Sequence, residues 1–215
     1  MTRIIYLHGF ASSPQSSKAQ FFGRRFAAAG IPFEVPLLDE GNFAALTVSG
    51  QLKVVDKAVR RAVQTGDSVV LMGSSLGGYL AALYAEQHPK EIHELILMAP
   101  AFGFPERLRA RYTPEQLEAW KTRGWAPVFH YGSKQEERLG YRFLEDAALH
   151  SPVPDFHQRA LLLHGTGDTV VPSELSYSFA LEHVHTRLAL FPSGHELTDV
   201  LEDLWRETAM FLKLV

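Results

Sequence analysis

The chemistry-bearing residues of this 215-residue chain stand in three short stretches. The first is Gly73-Ser74-Ser75-Leu76-Gly77-Gly78, a G-x-S-x-G pattern between an apolar run and a helix-like segment. A serine on a tight strand-to-helix turn brings neighbouring backbone close, and residues two before and two after it then have no room for a Cβ. Ser75 is therefore the candidate nucleophile. Ser74 is not, because it would need glycine where Met72 stands. A serine hydroxyl is a poor nucleophile near neutral pH. It needs a base, and the base needs a carboxylate to orient it. The run Ala160–Leu163 leads into His164-Gly165-Thr166-Gly167-Asp168, and Leu188–Phe191 leads into Pro192-Ser193-Gly194-His195. Asp168 and His195 are the candidate acid and base. Such a set attacks an acyl carbonyl and passes through an acyl-enzyme.

Acyl transfer also needs N–H donors for the tetrahedral oxyanion. The amide of Leu76, the residue after the nucleophile, is one expected donor. The loop Leu7-His8-Gly9-Phe10 is expected to give the second, from the Phe10 amide, with the Phe10 ring walling the acyl pocket. Gly9 is read as allowing a close backbone approach, and His8 as supporting the loop. Gly73 and Gly77 support the turn. The stretch Ser12–Lys18 reads as a loop and helix cap rather than a phosphate cradle.

Other titratable residues have blander readings. Asp39 follows an early strand and is the best rival for the acid. Asp199 and Asp203 fall in the expected last helix and read as solvated, while Asp146 and Asp155 belong to an insertion. Of the ten histidines, His183 and His185 form an H-x-H pair, but two ligands without a third make no metal site. His88 and His93 flank a helix–strand loop and look structural. His164 is expected to support the acid loop. Arg107, Arg109 and Arg111 read as a solvated face rather than a site for a carboxylate or phosphate.

Six short apolar runs must position these groups: Ile4–Leu7, Pro32–Val35, Ser68–Met72, Glu94–Met98, Ala160–Leu163 and Arg187–Phe191. Most are continuous rather than alternating, as expected of strands buried on both faces. Helical stretches lie between them. Ala19, Phe22, Phe26 and Ala29 share a stripe ending at Gly30, and Leu52, Val55, Val59, Ala62 and Val63 share one ending at Gly66. A third helix runs from about Leu76 to His88. Pro172 opens a fourth at its first helical position, and the last covers Glu196 to Leu212. This alternation predicts an α/β fold with a doubly wound, mainly parallel six-stranded sheet. All three candidate residues then lie just past C-terminal strand ends, where such sheets build sites.

About sixty residues separate the fourth run from the fifth, far more than a crossover needs. Segment 101–157 is read as a helical lid inserted within a single 1–215 domain. It holds ten of the chain's 24 aromatics, which favours an apolar acyl or aryl group in the substrate. Thr113 and Pro114 predict a helix start, and Gln135–Leu149 is read as a second lid helix.

Composition narrows the class. Lys plus Arg is 21 against 24 Asp plus Glu, a formal charge of −3, too mild for a nucleic-acid-binding face. The chain has no Cys, which excludes thiolate nucleophiles, disulfides and iron–sulfur clusters and fits a cytoplasmic protein. Ile4–Leu7 is too short for a signal-peptide core, and no apolar stretch is long enough to span a membrane.

With these residues in this order, the chain resembles the α/β-hydrolase superfamily. His8-Gly9-Phe10, the Gly73–Gly78 motif, Gly165-Thr166-Gly167-Asp168 and Gly194-His195 fall in the family's sequence order. The opening Tyr6–Pro14, with Lys18 soon after, looks most like small bacterial serine esterases and related palmitoyl-type acyl-thioesterases. One departure is that the family's full fold begins with two further strands, which this sequence lacks before the strand carrying His8. The resemblance implies a 2-1-3-4-5-6 strand order and a serine hydrolase with no metal or organic cofactor. It implies a small-molecule ester or thioester substrate. Ester, thioester, amide and peptide bonds all stay open, and a non-catalytic binding protein on the same scaffold is the reading from another class.

Overall fold

Strands apolar on both faces can only be stable between two layers of helix, and that is how the runs assemble. The computed structural model describes residues 1–214. Its strands are β1 (Thr2–Leu7), β2 (Phe33–Glu34), β3 (Ser68–Ser74), β4 (Ile92–Met98), β5 (Trp125–His130), β6 (Gln135–Gly140), β7 (Arg159–Gly165) and β8 (Thr186–Phe191). Six form one sheet in the order β2-β1-β3-β4-β7-β8, while β5 and β6 pair as a separate antiparallel hairpin. Every neighbouring pair in the large sheet is parallel. In the numbering of the six runs this is 2-1-3-4-5-6, as the resemblance implies.

The helices are α1 (Ser17–Ala28), α2 (Val48–Gln64), α3 (Leu76–Gln87), α4 (Phe104–Arg109), α5 (Pro114–Arg123), α6 (Arg142–Ala147), α7 (Ser173–Glu182) and α8 (Leu201–Phe211). Alternate strand residues serve opposite layers. Ile5, Leu7, Leu71, Leu97 and Leu162 pack with residues of α2 and α3. Ile4, Tyr6, Met72, Met98 and Leu163 pack with residues of α1 and α8. The register aligns Leu7 with Gly73 and Ser74 with Met98, so the loops after β1, β3 and β4 emerge at one end.

Several local expectations change. Gln135–Gly140 is a strand, and only Arg142–Ala147 of the expected second lid helix is helical. The polar run Gln-Glu-Glu-Arg suits an exposed helix, but Trp125–His130 offers six paired positions, and Gly140 lies where a Cβ would sit 2.7 Å from the Ala44 carbonyl oxygen. Segment 101–157 is therefore helical and hairpin-bearing, not purely helical. The last helix begins at Leu201, not Glu196, because Leu197 takes a left-handed conformation (φ 55°) that a helix cannot continue through. Asp199 thus precedes that helix. Pro172 caps α7 from outside rather than filling its first turn. Val63, placed on a buried stripe, is exposed. At Thr113 the expected cap is a full capping box with Gln116.

Candidate active site

The turn between β3 and α3 holds Ser75 at φ 55°, ψ −117°, a conformation that costs a non-glycine residue about 1–3 kcal/mol. The surrounding structure imposes it. The Ser75 amide donates to the Met98 carbonyl at 2.9 Å, and the Ser75 carbonyl accepts from Ala101 and Tyr79 at 3.1 Å. A Cβ at residue 77 would stand 2.0 Å from the Leu7 carbonyl oxygen, and one at residue 73 would stand 2.3 Å from that of Gly77. Both glycines are required by close backbone approach. At Gly9 the approach is milder than expected: a Cβ would meet Ser74 O and Ser75 Cβ at ordinary contact distances of 3.5 and 3.6 Å. A longer side chain there would press on Ser75.

Ser75, His195 and Asp168 come together. His195 Nε2 lies 2.9 Å from Ser75 Oγ, and His195 Nδ1 lies 2.7 Å from Asp168 Oδ2. Since Asp168 accepts, Nδ1 carries the proton and Nε2 is free to accept the serine hydroxyl. Asp168 is buried, and its two oxygens are saturated. Oδ1 accepts the amides of Val170 and Val171, each at 2.8 Å. Oδ2 accepts from His195 and, at 3.2 Å, from His164 Nε2. Burial alone would push this carboxyl up, but the Val171 amide, His195 and the Val170 amide outweigh it and hold its pKa below the ordinary value.

His164 does support the acid loop. It is fully buried, its Nε2–H also reaches the Val171 carbonyl at 3.0 Å, and its Nδ1 pairs with Ser176 Oγ at 2.7 Å. Burial pushes its pKa down, against the Val171 carbonyl and Asp168, so it stays neutral near pH 7. Ser176 and the Val170–Val171 amides are partners that sequence reasoning missed; serine and backbone carry no distinctive signal. The rival acid Asp39 is elsewhere: its Oδ1 accepts the Gly41 amide and its Oδ2 lies 4.0 Å from His130.

The first loop stands beside Ser75. His8 is buried, pairs with the Gly9 carbonyl at 3.0 Å and faces the Leu38 amide at 3.5 Å. Burial lowers its pKa. Among the described residues, the amides of Phe10 and Leu76 donate to no other group of the chain. The Phe10 ring stacks on Phe143 of α6 at 5.4 Å and lies 5.8 Å from Phe43. Segment 101–157 also touches this loop through the hairpin turn, where the Tyr131 amide donates to the Ala11 carbonyl at 2.7 Å.

The remaining candidates lie apart from the trio. His183 stacks on Phe179 and pairs with Asp155, and no third ligand joins His185 among the described residues. Asp146 accepts the Ser49 amide, Asp199 pairs with Ser193, and Asp203 pairs with Arg206. Arg107 reaches the Val170 carbonyl instead of standing free. His88 stands with Asp56 and Glu91, whose ligand-type atoms all lie within 4.8 Å. Asp56 is already held there by Arg60 and by the Tyr84 hydroxyl.

Comparison with known proteins follows from this geometry. The profile of the uncharacterised protein family UPF0227 matches residues 3–212. The chain belongs to this family, within the α/β-hydrolase superfamily. It is 30% identical over 187 residues to mouse (Mus musculus) mitochondrial palmitoyl-protein thioesterase ABHD10, covering 82% of this chain and 62% of the relative. The rat (Rattus norvegicus) protein of that name is 29% identical with the same coverage. The chain thus spans about three fifths of the length of these curated relatives. Among solved structures, mouse alpha/beta hydrolase domain-containing protein 10 superposes with a TM-score of 0.79 at 24% identity, covering 99% of this UPF0227 chain and 90% of that one. The ferulic-acid-bound Est1E of Butyrivibrio proteoclasticus gives 0.80 at 20% identity, covering 99% and 90%. These likenesses establish the fold. Among the described residues no helix is long and apolar enough to cross a membrane.

Proposed function

We propose that this chain is a serine hydrolase that cleaves carboxylic esters through Ser75, His195 and Asp168. The observation that carries the reading is the unbroken hydrogen-bond chain Ser75–His195–Asp168, at 2.9 and 2.7 Å, on a strained strand-to-helix turn. In this mechanism His195 Nε2 takes the Ser75 proton as Oγ attacks the acyl carbonyl, then delivers it to the leaving oxygen. Asp168 fixes the tautomer and stabilises the imidazolium. The free amides of Phe10 and Leu76 hold the oxyanion. Water activated by His195 releases the acid. No step calls for a metal or organic cofactor. Segment 101–157 serves as the lid, its Phe104 and Phe143 meeting Phe10 of the first loop in an aromatic seam that favours an apolar acyl or aryl group.

Labelling by a fluorophosphonate probe tests the reading. Folded wild type labels and Ser75→Ala does not, and p-nitrophenyl esters of increasing chain length then size the acyl site. Folded wild type that fails to label overturns it in favour of a binding scaffold.

An acyl-thioesterase is the second reading, favoured by the alignment of most of this chain with a relative named as a palmitoyl-protein thioesterase. Thiol release from acyl-CoA or an S-palmitoyl peptide, followed with a disulfide dye, measures it without background because the chain has no cysteine.

A further inference from the structure

Lys18 is a lysine in an unusual place. It lies in the first turn of α1, yet it is only 7% exposed. Lysines are almost never fully buried without a partner, because removing the ammonium group from water is costly. Its Nζ donates to the backbone carbonyl of Glu196, the residue after His195. The Glu196 carboxylate is farther, at 3.7 Å, and is itself largely exposed. The buried contact is therefore to the backbone of the histidine loop.

That loop has few other ties. Among the described residues, no backbone–backbone hydrogen bond reaches positions 194–199. Ser193 and Asp199 pair across the loop's base, and the buried Leu197 side chain pins its middle at the expense of a left-handed backbone. A strained segment persists only where its surroundings over-determine it. Lys18 supplies the link from α1, on the far side of the sequence. The charged groups facing the ammonium are Glu196 and, from the β7–α7 loop, Asp168. The carboxylate facing His195 is Asp168, with the His164 ring beside them.

We propose that Lys18 is a positioning residue for His195: its ammonium group clamps the Glu196 carbonyl and so holds the imidazole in line between Asp168 and Ser75. This rests on the hydrolase reading above and adds a fourth side chain to it, one that touches neither substrate nor the reacting atoms. Burial draws the Lys18 pKa below the ordinary lysine value while Glu196 and Asp168 pull it back up.

The test compares kcat and KM of wild type, Lys18→Met and Lys18→Cys on one p-nitrophenyl ester. Displacement of a catalytic group by about 1 Å costs about 10²-fold, so Lys18→Met is expected to lose that in kcat with KM little changed. Because the chain has no other cysteine, Lys18→Cys can be alkylated with bromoethylamine in denaturant and refolded, restoring an ammonium at that site alone. Return of kcat upon alkylation, with KM little changed, supports the clamp, even if Lys18→Met folds poorly. A Lys18→Met protein that is less heat-stable but keeps kcat overturns it and leaves Lys18 a purely structural residue. Alkylated Lys18→Cys that refolds without regaining kcat overturns it too. Wild type that neither labels with fluorophosphonate nor turns over any ester removes the hydrolase reading itself, an outcome distinct from these.

Discussion

The large sheet and the β5–β6 hairpin are held in opposite ways. In β1 the residues Ile4, Ile5, Tyr6 and Leu7 are all completely buried, and so are Leu161, Leu162 and Leu163 in β7. In the hairpin only His130 and Leu139 are buried. Its place is set by point contacts: Trp120 Nε1 donating to the Leu139 carbonyl at 3.0 Å, Gly140 against Ala44, and the Tyr131 amide on Ala11. Trp125 lies on its exposed side under Arg138, at 4.4 Å. The proposed reacting groups hang from the element fixed by burial on two faces. The proposed substrate wall hangs from the element fixed by a few contacts. Accuracy of placement follows the amount of apolar surface committed to it.

That contrast can be broken at its strongest point first. Ser75→Ala is expected to lower kcat by about 10⁴–10⁶-fold and Asp168→Asn by about 10⁴-fold, with thermal midpoints close to wild type. An Asp168→Asn protein that keeps a tenth of the wild-type rate would show that another group orients His195. Next in size is Gly77→Ala. Its Cβ meets the Leu7 backbone, which the sheet holds rigidly, so the cost in urea unfolding should reach about 4 kcal/mol or more. Gly140→Ala makes a similar clash against Ala44, but on a surface turn that can yield, so about 1–3 kcal/mol is expected. Equal costs at the two glycines would erase the distinction between the regions.

The smallest effect is the pH dependence. His8 and His164 are both buried on the sheet side, and burial holds each below its ordinary value of 6.5. The unfolded chain therefore binds protons that the folded chain refuses. Their contribution is complete above about pH 6.5 and is lost as pH falls through the lowered values. Urea unfolding from pH 8 to 5 should show that decline, and His164→Gln should flatten part of it. A stability curve level across that range would contradict the burial argument.

Much of this was legible in the sequence, for local reasons. A strand buried on both faces must be apolar at every position, as Ile4–Leu7 and Ala160–Leu163 are. The elbow shows itself because glycine is forced at 73 and 77 at once. The hairpin was not legible, because Gln135–Gly140 buries only Leu139 and becomes a strand by pairing with β5, a property of two segments together. The delayed start of α8 was hidden likewise, since nothing in Glu196–Val200 announces that Leu197 will turn left-handed. Lys18 was the hardest to see. From sequence alone a lysine reads as a wet surface residue, and only the folded loop above it reveals otherwise.

The tight fit of Gly77 under the Leu7 carbonyl has one more consequence. It welds the end of β1, the Ser75 turn and the start of α3 into a single rigid block. A rigid block has no slack with which to welcome a bulkier or slimmer guest. Any give must come from segments not welded to it, the hairpin and its neighbouring helices. On the proposed hydrolase reading, speed and taste would thereby be lodged in separate parts of the chain. On the proposed reading, changes within 101–157 would alter which substrate is accepted while leaving the Ser75 turn as it is.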